Sequence, residues 1–359
     1  MLATNLRKTG RFQVRAQQRP LELRPANLTD LRRCLDPSSS APLPIRPRGS
    51  GTASNDCNDT SYGTILDTTG LDRIVAVDPD NGTVTVEAGM RIADLVDELA
   101  VEGLELTGAY DLQGRTIGGA IAAPCFGPTI GNSGSYLSSH VVAMKVVTTD
   151  GRVLRIEPGQ RDLLGMFRMS FGLLGVIFEV TLRVRPIRTF AASHRRVDFE
   201  MFAGVVDTLS NADVGFKFYL MPYRNRVYLD LRRYQTSPGH SYSMPWKFKD
   251  WGETTVLPNV FRSLNRVMPI RSMKYNLIDT ISEATQNLVN SRLVTCGSNA
   301  ASQSGKRANA ERRHRYHSSW CFPAANFSVV VRAFRGFCAG IYSETGYRVD
   351  LPAVGYRLC

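Results

Sequence analysis

Arg48-Gly49-Ser50-Gly51-Thr52-Ala53-Ser54 is the stretch on which the reading of this chain turns. Its glycines and small side chains leave consecutive backbone N–H groups open to close approach, as a pyrophosphate requires. Arg46 and Arg48 add positive charge beside it. Taken alone, the same residues also make an ordinary Gly-Ser turn. Spacing excludes two familiar phosphate-binding motifs. A P-loop needs Gly-Lys-Ser/Thr after four intervening residues, and a dinucleotide Rossmann motif passes directly into a helix. Neither feature follows Gly49.

Upstream, Leu28 to Leu35 has apolar residues at helical spacing, with Asn27 or Thr29 as cap and Pro37 as terminator. Downstream, Gly63 to Asp67, Ile74 to Val77 and Thr83 to Ala88 are short and β-branched, and the Asn81-Gly82 pair predicts a hairpin. Arg91 to Glu102 then carries Ile92, Leu95, Val96 and Leu99 on one helical face, and Gly103 stops it. A second glycine-rich stretch, Thr116 to Ala122, precedes an apolar strand from Ser138 to Thr148 and the Asp150-Gly151 turn. Gly172 to Val184 reads as another strand.

Pro186 marks a change of character. Beyond it come the strands Phe216 to Met221 and Val227 to Leu231, and an irregular stretch from Ser237 to Glu253. Cys296 to Arg313 is polar and basic and reads as a loop. Phe327 to Tyr342 reads as a helix presenting Val330, Ala333, Phe334, Phe337 and Ile341, ended by Gly346, with a last strand over Arg348 to Leu358.

The order of these pieces resembles the flavin domain of the vanillyl-alcohol oxidase/para-cresol methylhydroxylase (PCMH) superfamily. Within it, the aldonolactone oxidases, alditol oxidase and decaprenylphosphoryl-ribose oxidase are the nearest in pattern. The resemblance covers residues 46 to 188 and rests on five motifs in sequence: Pro47 to Gly51, Val84 to Met90, Thr116 to Ile121, Val141 to Gly151 and Gly172 to Ile177. It implies an α+β chain, with a two-subdomain PCMH-type FAD-binding domain over residues 1–188 and an α+β substrate (cap) domain with an antiparallel sheet over 189–359. It also implies a flavin site. Arg48, Gly49, Ser50, Gly51, Thr52 and Ala53 would wrap the FAD pyrophosphate. Thr116, Ile117, Gly118 and Gly119 would line the isoalloxazine and ribityl groups, and Gly108 would also contact the cofactor. Ala122, Cys125, Phe126 and Gly127 would pass beneath the flavin, and Gly134, Ser135, Val176 and Ile177 would complete the walls.

Departures from the family pattern shape the rest. Members that attach FAD covalently through this loop carry a histidine where Thr52 or Ala53 stands, so the expected cofactor is noncovalent FAD. Phe126-Gly127 replaces a His-Gly pair beneath the flavin; Cys125 before it is a thiol acting on the site through its neighbours or, more commonly for such a residue, a small buried side chain. Alditol oxidase-like members carry a Glu-x-Arg pair over the flavin. Arg357 matches the arginine and is the candidate catalytic residue, either stabilising an alkoxide or lying solvated on an edge strand, whereas Gly355 replaces the glutamate. Relatives continue well past the position of Cys359, so a flavin-binding protein with little turnover is the alternative to an active enzyme.

Composition narrows the classes further. A chain of 359 residues with 43% apolar and 21% charged residues fits two globular domains. No apolar run is long enough to span a membrane, and no secretion signal is visible. Seven scattered cysteines without CxxC suggest a reducing cytoplasm rather than a disulfide framework. The five histidines lack metal spacing, so no metal is expected. No Gly-x-Ser-x-Gly elbow points to a serine hydrolase. A formal charge of +12 favours anionic partners and leaves membrane association open. The cluster Lys306 to Arg315 has too few aromatics for a stacking platform, so nucleic acid is not an expected partner. Arg195-Arg196 and Arg232-Arg233 read as solvated faces. The resulting expectation is an FAD-dependent oxidoreductase that transfers hydride to flavin N5 from a CH–OH group of a sugar, aldonolactone, polyol or related intermediate. An anionic substrate is mildly favoured, and oxygen or another acceptor takes the electrons.

Overall fold

A computed structural model describes residues 19–53, 59–108, 112, 114–131, 134–236, 243–289, 292–297 and 318–358. Leu21–Leu23 (β1), helix Leu28–Leu35 (α1), Ile45–Arg48 (β2) and Thr64–Asp67 (β3) open the chain, the strands forming a parallel sheet in the order β1-β3-β2. Asn27 caps α1 by accepting from Asp30 N at 2.9 Å, a contact that stabilises by about 1 kcal/mol. Leu31 and Leu35 of α1 pack with Leu66, Leu71, Val176 and Phe178 into a small core.

Ile74–Asp78 (β4) and Thr83–Glu87 (β5) start the next sheet, followed by Ile92–Val101 (α2), Leu104–Leu106 (β6), Ile117–Ala122 (α3), Val141–Val147 (β7), Val153–Ile156 (β8), Arg161–Phe167 (α4) and Val176–Pro186 (β9). The strands make an antiparallel sheet ordered β4-β5-β9-β7-β8, with β6 paired to β9. Ile92, Leu95, Val96 and Leu99 all point into its main core, as their spacing requires. Gly103 stops α2 at φ 69°, a conformation that glycine adopts without a Cβ penalty.

The remaining elements are Phe190–Val197 (β10), Phe199–Asn211 (α5), Gly215–Leu220 (β11), Val227–Tyr234 (β12), Ser243–Trp251 (α6), Leu257–Val267 (α7), Arg271–Asn287 (α8), Thr295–Gly297 (β13), Phe327–Thr345 (α9) and Ala353–Tyr356 (β14). Their strands form a third, antiparallel sheet ordered β13-β10-β12-β11-β14. Phe216 and Phe218 on one face pack with Phe199 and Phe202 of α5 and Val331 of α9. On the other face Trp246 of α6 packs against Phe190 and Ala192 of β10 together with Ile130, from the segment before β7. Arg185 of β9 ties the sheets together, donating to Glu105 Oε1 at 2.9 Å and to the Tyr234 hydroxyl at 2.5 Å. No helix among the described residues is long and apolar enough to cross a membrane.

Several expectations from the sequence are corrected. The strand expected from Gly172 begins at Val176, because residues 169–175 turn through left-handed positions at Met169, Phe171, Gly172 and Gly175. The strand expected from Ser138 begins at Val141 after a 3-10 turn over Leu137–His140. The stretch read as irregular from Ser237 is helical from Ser243, and a π turn over Gly252–Val256 links α6 to α7. Cys296 sits in β13 rather than in a loop, and 298–313 lie outside the described residues. The final strand spans only Ala353–Tyr356. Helix α9 buries Val331 and Cys338 and leaves Phe337 exposed, a rotation of the expected face. Arg232 is buried, not solvated, with its guanidinium 5.6 Å from the Phe190 ring centre, since it alternates onto the face covered by α6.

Candidate cofactor and substrate site

The glycine loop after β2 is gathered against the segment that starts α3. Ser50 Oγ donates to Gly114 O at 2.8 Å, and Thr68 Oγ1 donates to Arg48 O at 3.2 Å. A Cβ on Gly49 would lie 2.1 Å from Thr116 Oγ1, so the close approach of these segments itself requires glycine. Gly51 takes φ 66°, and Thr52 and Ala53 are exposed. On the other side, a Cβ on Gly172 would meet Pro47 Cγ at 3.4 Å, placing residues 171–174 beside the loop. Phe171, Leu173 and Leu174 are 62%, 79% and 39% exposed there, which leaves an apolar edge open next to small polar residues. Met169 and Phe171 both hold φ 54°, a conformation that costs non-glycine residues on the order of 1 kcal/mol each.

Around α3 the roles divide. Thr116 caps the helix through Gly119 N at 3.4 Å. Ile117 N and Gly118 N donate to Met90 O and Ala88 O at 2.9 and 2.7 Å, so these amides are spent on the fold. Ile117 and Ile177 have their side chains in the main core and Val176 in the smaller one. Gly108 and Gly134 make room for His140: a Cβ on Gly108 would meet its ring at 2.9 Å, and its Nε2 lies 3.2 Å from Gly134 O. Burial pushes the His140 pKa down, and Arg183, Arg185 and Arg168 act in the same direction, against the Gly134 contact. Burial pushes the Cys125 thiol up, against Arg115, so Cys125 is a protonated small side chain beside the core. Ala122 O accepts from Phe171 N at 2.8 Å, and Gly127 N donates to Ser135 O at 3.4 Å.

The segment 125–136 then meets the third sheet. Phe126 sits edge-on between Tyr136 and Tyr356, with ring centres 5.5 and 5.2 Å away. Ser135 Oγ donates to the carbonyl of Arg357 at 3.4 Å. The guanidinium of Arg357 turns away from that contact and donates through Nη1 to the carbonyls of Ala212 and Val214 at 2.9 and 3.3 Å. Gly355 faces the apolar side of the sheet, where a Cβ would lie 2.0 Å from Phe218 Cζ. No side chain, glutamate included, fits at that position on this backbone.

The opposite face of the same sheet holds a buried charge cluster that sequence reading missed. His194 Nδ1 donates to Asp230 Oδ1, Lys249 Nζ lies 3.9 Å from Asp230 Oδ2, and Lys249 donates to Tyr219 OH at 3.1 Å and to Glu253 Oε1 at 2.7 Å. Gln286 Nε2 also donates to Glu253, at 2.8 Å. Burial alone would raise the Asp230 pKa; Lys249, the His194 hydrogen bond and Lys217 together outweigh it and hold the carboxylate well below its usual range. Burial would lower the Lys249 pKa, and Asp230, Tyr219 and Glu253 reverse that effect. His194 Nε2 and Trp246 Nε1 are buried without a hydrogen-bond partner among the described residues.

Residues 20–157 match the profile of the FAD binding domain family. The chain is also 30% identical over 237 residues to L-gulono-1,4-lactone dehydrogenase of Mycobacterium tuberculosis, covering 62% of this chain and 54% of the relative. It is 24% identical over 350 residues to D-arabinono-1,4-lactone oxidase of Yarrowia lipolytica, covering 92% of this chain and 63% of the relative. The chain thus spans between half and two thirds of the length of these relatives. A solved structure of the His121Ala mutant of cholesterol oxidase from Brevibacterium sterolicum superposes with a TM-score of 0.68 at 13% identity, covering 93% of this chain and 68% of that one. That likeness shows a shared fold over most of the chain.

Residues 20–157 offer what FAD needs. Small side chains from Gly49 to Ala53 leave backbone open to a pyrophosphate, and the exposed edge of Phe171, Leu173 and Leu174 suits a flat apolar ring. The residues present therefore fit FAD.

Proposed function

We propose that the chain is an FAD-dependent oxidoreductase that oxidises a CH–OH group of a sugar lactone or related polyol, with FAD held noncovalently. In this reading residues 1–188 hold the cofactor and 189–359 cap it. The observation that carries the proposal is the close approach of the glycine loop to Thr116 on one side and of Pro47 to Gly172 on the other, with Tyr356 of the third sheet against Phe126. Names of relatives that act on gulono- and arabinono-lactones support the substrate class. FAD supplies hydride acceptance at N5 when bound.

The chain's own residues would then bind and orient. Arg48 to Ala53 would hold the pyrophosphate; Gly108, Thr116, Gly118 and Gly119 would shape the floor, and Ala122, Cys125 and Gly127 would carry the strand of chain beneath the ring. Gly134 and Ser135 would position the Phe126 segment, with Val176 and Ile177 behind it. Thr52 and Ala53 stand where covalent relatives carry the linking histidine, which supports noncovalent attachment. Arg357, tied to the Ala212 and Val214 carbonyls, would act by fixing Tyr356 rather than by touching substrate. Oxygen or another acceptor would reoxidise the flavin. Free Cys34, Cys125, Cys296, Cys321 and Cys338 among the described residues support a cytoplasmic location.

Flavin binding with little turnover is a second reading, favoured by one observation: Gly355 leaves no carboxylate at the position where alditol oxidase-like proteins carry one. The visible absorbance spectrum of the purified protein, followed by acid precipitation, tests cofactor and attachment together. Flavin bands with colour released into the supernatant are expected; a folded, colourless protein that cannot be reconstituted with FAD rules out both readings. Anaerobic bleaching by L-gulono- or D-arabinono-1,4-lactone separates the enzyme from the silent flavoprotein.

A further inference from the structure

Four polar residues line up across the third sheet. His194 of β10 is the cross-strand partner of Asp230 of β12, Asp230 of Lys217 of β11, and Lys217 of Tyr356 of β14. Cross-strand partners point to the same face, so the four side chains form one row perpendicular to the strands. The row is closed at one end and open at the other. His194 and Asp230 are 1% and 3% exposed beneath α6, whereas Lys217 and Tyr356 are half-buried. The open end is also the end that touches the FAD binding domain, through the edge-on contact of Tyr356 with Phe126.

We infer that Lys217 and Tyr356 form the substrate-binding end of this row, a subsite for the oxygen-bearing ring of a sugar lactone or its open-chain acid. The inference rests on the oxidoreductase reading above for the position of the flavin. Lys217 Nζ lies 5.1 Å from the Tyr219 ring centre and 6.0 Å from that of Tyr356, so its ammonium is held between two aromatic faces. An ammonium brings three N–H donors and no acceptor, which matches ring oxygens, carbonyls and carboxylates. The Tyr356 ring supplies an apolar surface for the C–H side of the same ring, and its hydroxyl a further polar contact. Asp230 stays ionised behind Lys217, and Lys249 is taken up by Glu253 at 2.7 Å. Replacing Gly355 by any larger residue would push β14 off Phe218 and shift Tyr356, so the small residue in that strand serves the same geometry.

The test is calorimetric titration of flavin-loaded, pre-reduced protein with L-gulono-1,4-lactone and with L-gulonate. Reduced flavin cannot accept hydride, so only binding is read. Lys217→Met and Lys217→Gln are each expected to weaken binding roughly ten- to one-hundred-fold, the range for a hydrogen bond to a charged group. Lys217→Arg is expected to retain affinity within about three-fold, because it restores a charged donor. Tyr356→Leu is expected to weaken it about ten-fold through the lost aromatic face and hydroxyl. Flavin content should stay at the parent level in all four, and in turnover the losses should fall on KM more than on kcat. Unchanged affinity in both Lys217→Met and Lys217→Gln, with flavin retained, overturns the inference alone. A parent protein that carries flavin but binds neither compound overturns the substrate reading, and the inference with it.

Discussion

The two faces of the third sheet are built from alternate residues of the same strands and are opposite in kind. On one, Phe216 and Phe218 meet Phe199, Phe202 and Val331 with no charge among them. On the other, one residue along each strand, Tyr219, Asp230 and His194 lie with Lys217 and meet Lys249 and Glu253. Burying the first face stabilises the domain directly, at roughly 25 cal/mol per Å² of apolar surface. Burying the second does so only while every charge keeps its partner, because an unpaired buried charge is costly. The difference shows where stability and chemical specificity are divided within one sheet.

Asp230→Ala should break the comparison most severely. It leaves the buried His194 Nδ1 without its partner and takes from Lys249 one of its two carboxylates, and the free energy of unfolding in urea should fall by about 3–5 kcal/mol. A loss under about 1 kcal/mol would mean that this face is hydrated and not a sealed cluster. Gly355→Ala attacks the apolar face by overpacking against Phe218 and should cost about 1–3 kcal/mol by the same measurement.

Acid sharpens the contrast. Asp230 is held below its usual range in the folded state, so its contribution is complete above the unfolded-state pKa of about 3.9 and is lost as pH falls below it. The penalty of Asp230→Ala should therefore shrink by about 1 kcal/mol between pH 7 and pH 3, while that of Gly355→Ala stays constant. Lys249 is raised, so its contribution holds below about pH 10.4 and is lost only above it. The smallest effect is expected for Arg332→Ala. Its pair with Glu200 closes to 2.7 Å, yet both side chains are more than half exposed, and its removal should cost less than about 0.5 kcal/mol.

The first half of the molecule was largely legible in its sequence, and particular residues say why. Helix α2 has buried Ile92, Leu95, Val96 and Leu99, so its period is written in apolar side chains and closed by a glycine. Helix α8 buries Ser282, Thr285 and Gln286 beside Ile278, so its inner face carries no hydrophobic period to read. In α9, Val329, Val330 and Val331 run consecutively and point to three sides, which left the phase of the helix open. The glycine loop can be proposed from sequence because its residues are contiguous. His194 and Asp230 are 36 residues apart and meet only through the register of β10 against β12, which no spacing reveals. At the end of the chain the spacing singled out Arg357, but Tyr356 is the residue that meets Phe126, while the Arg357 guanidinium is taken up by the Ala212 and Val214 carbonyls.

Phe171, Leu173 and Leu174 bear on how the protein must be made. A folded chain with no flavin over this edge would present a sticky strip beside a strained turn, and strips of this kind recruit other chains. Cofactor at one hundred times its dissociation constant would add about 2.7 kcal/mol to the stability of the native state. Recovery from cells should accordingly follow riboflavin supply, with starved cultures yielding inclusion bodies in place of yellow protein.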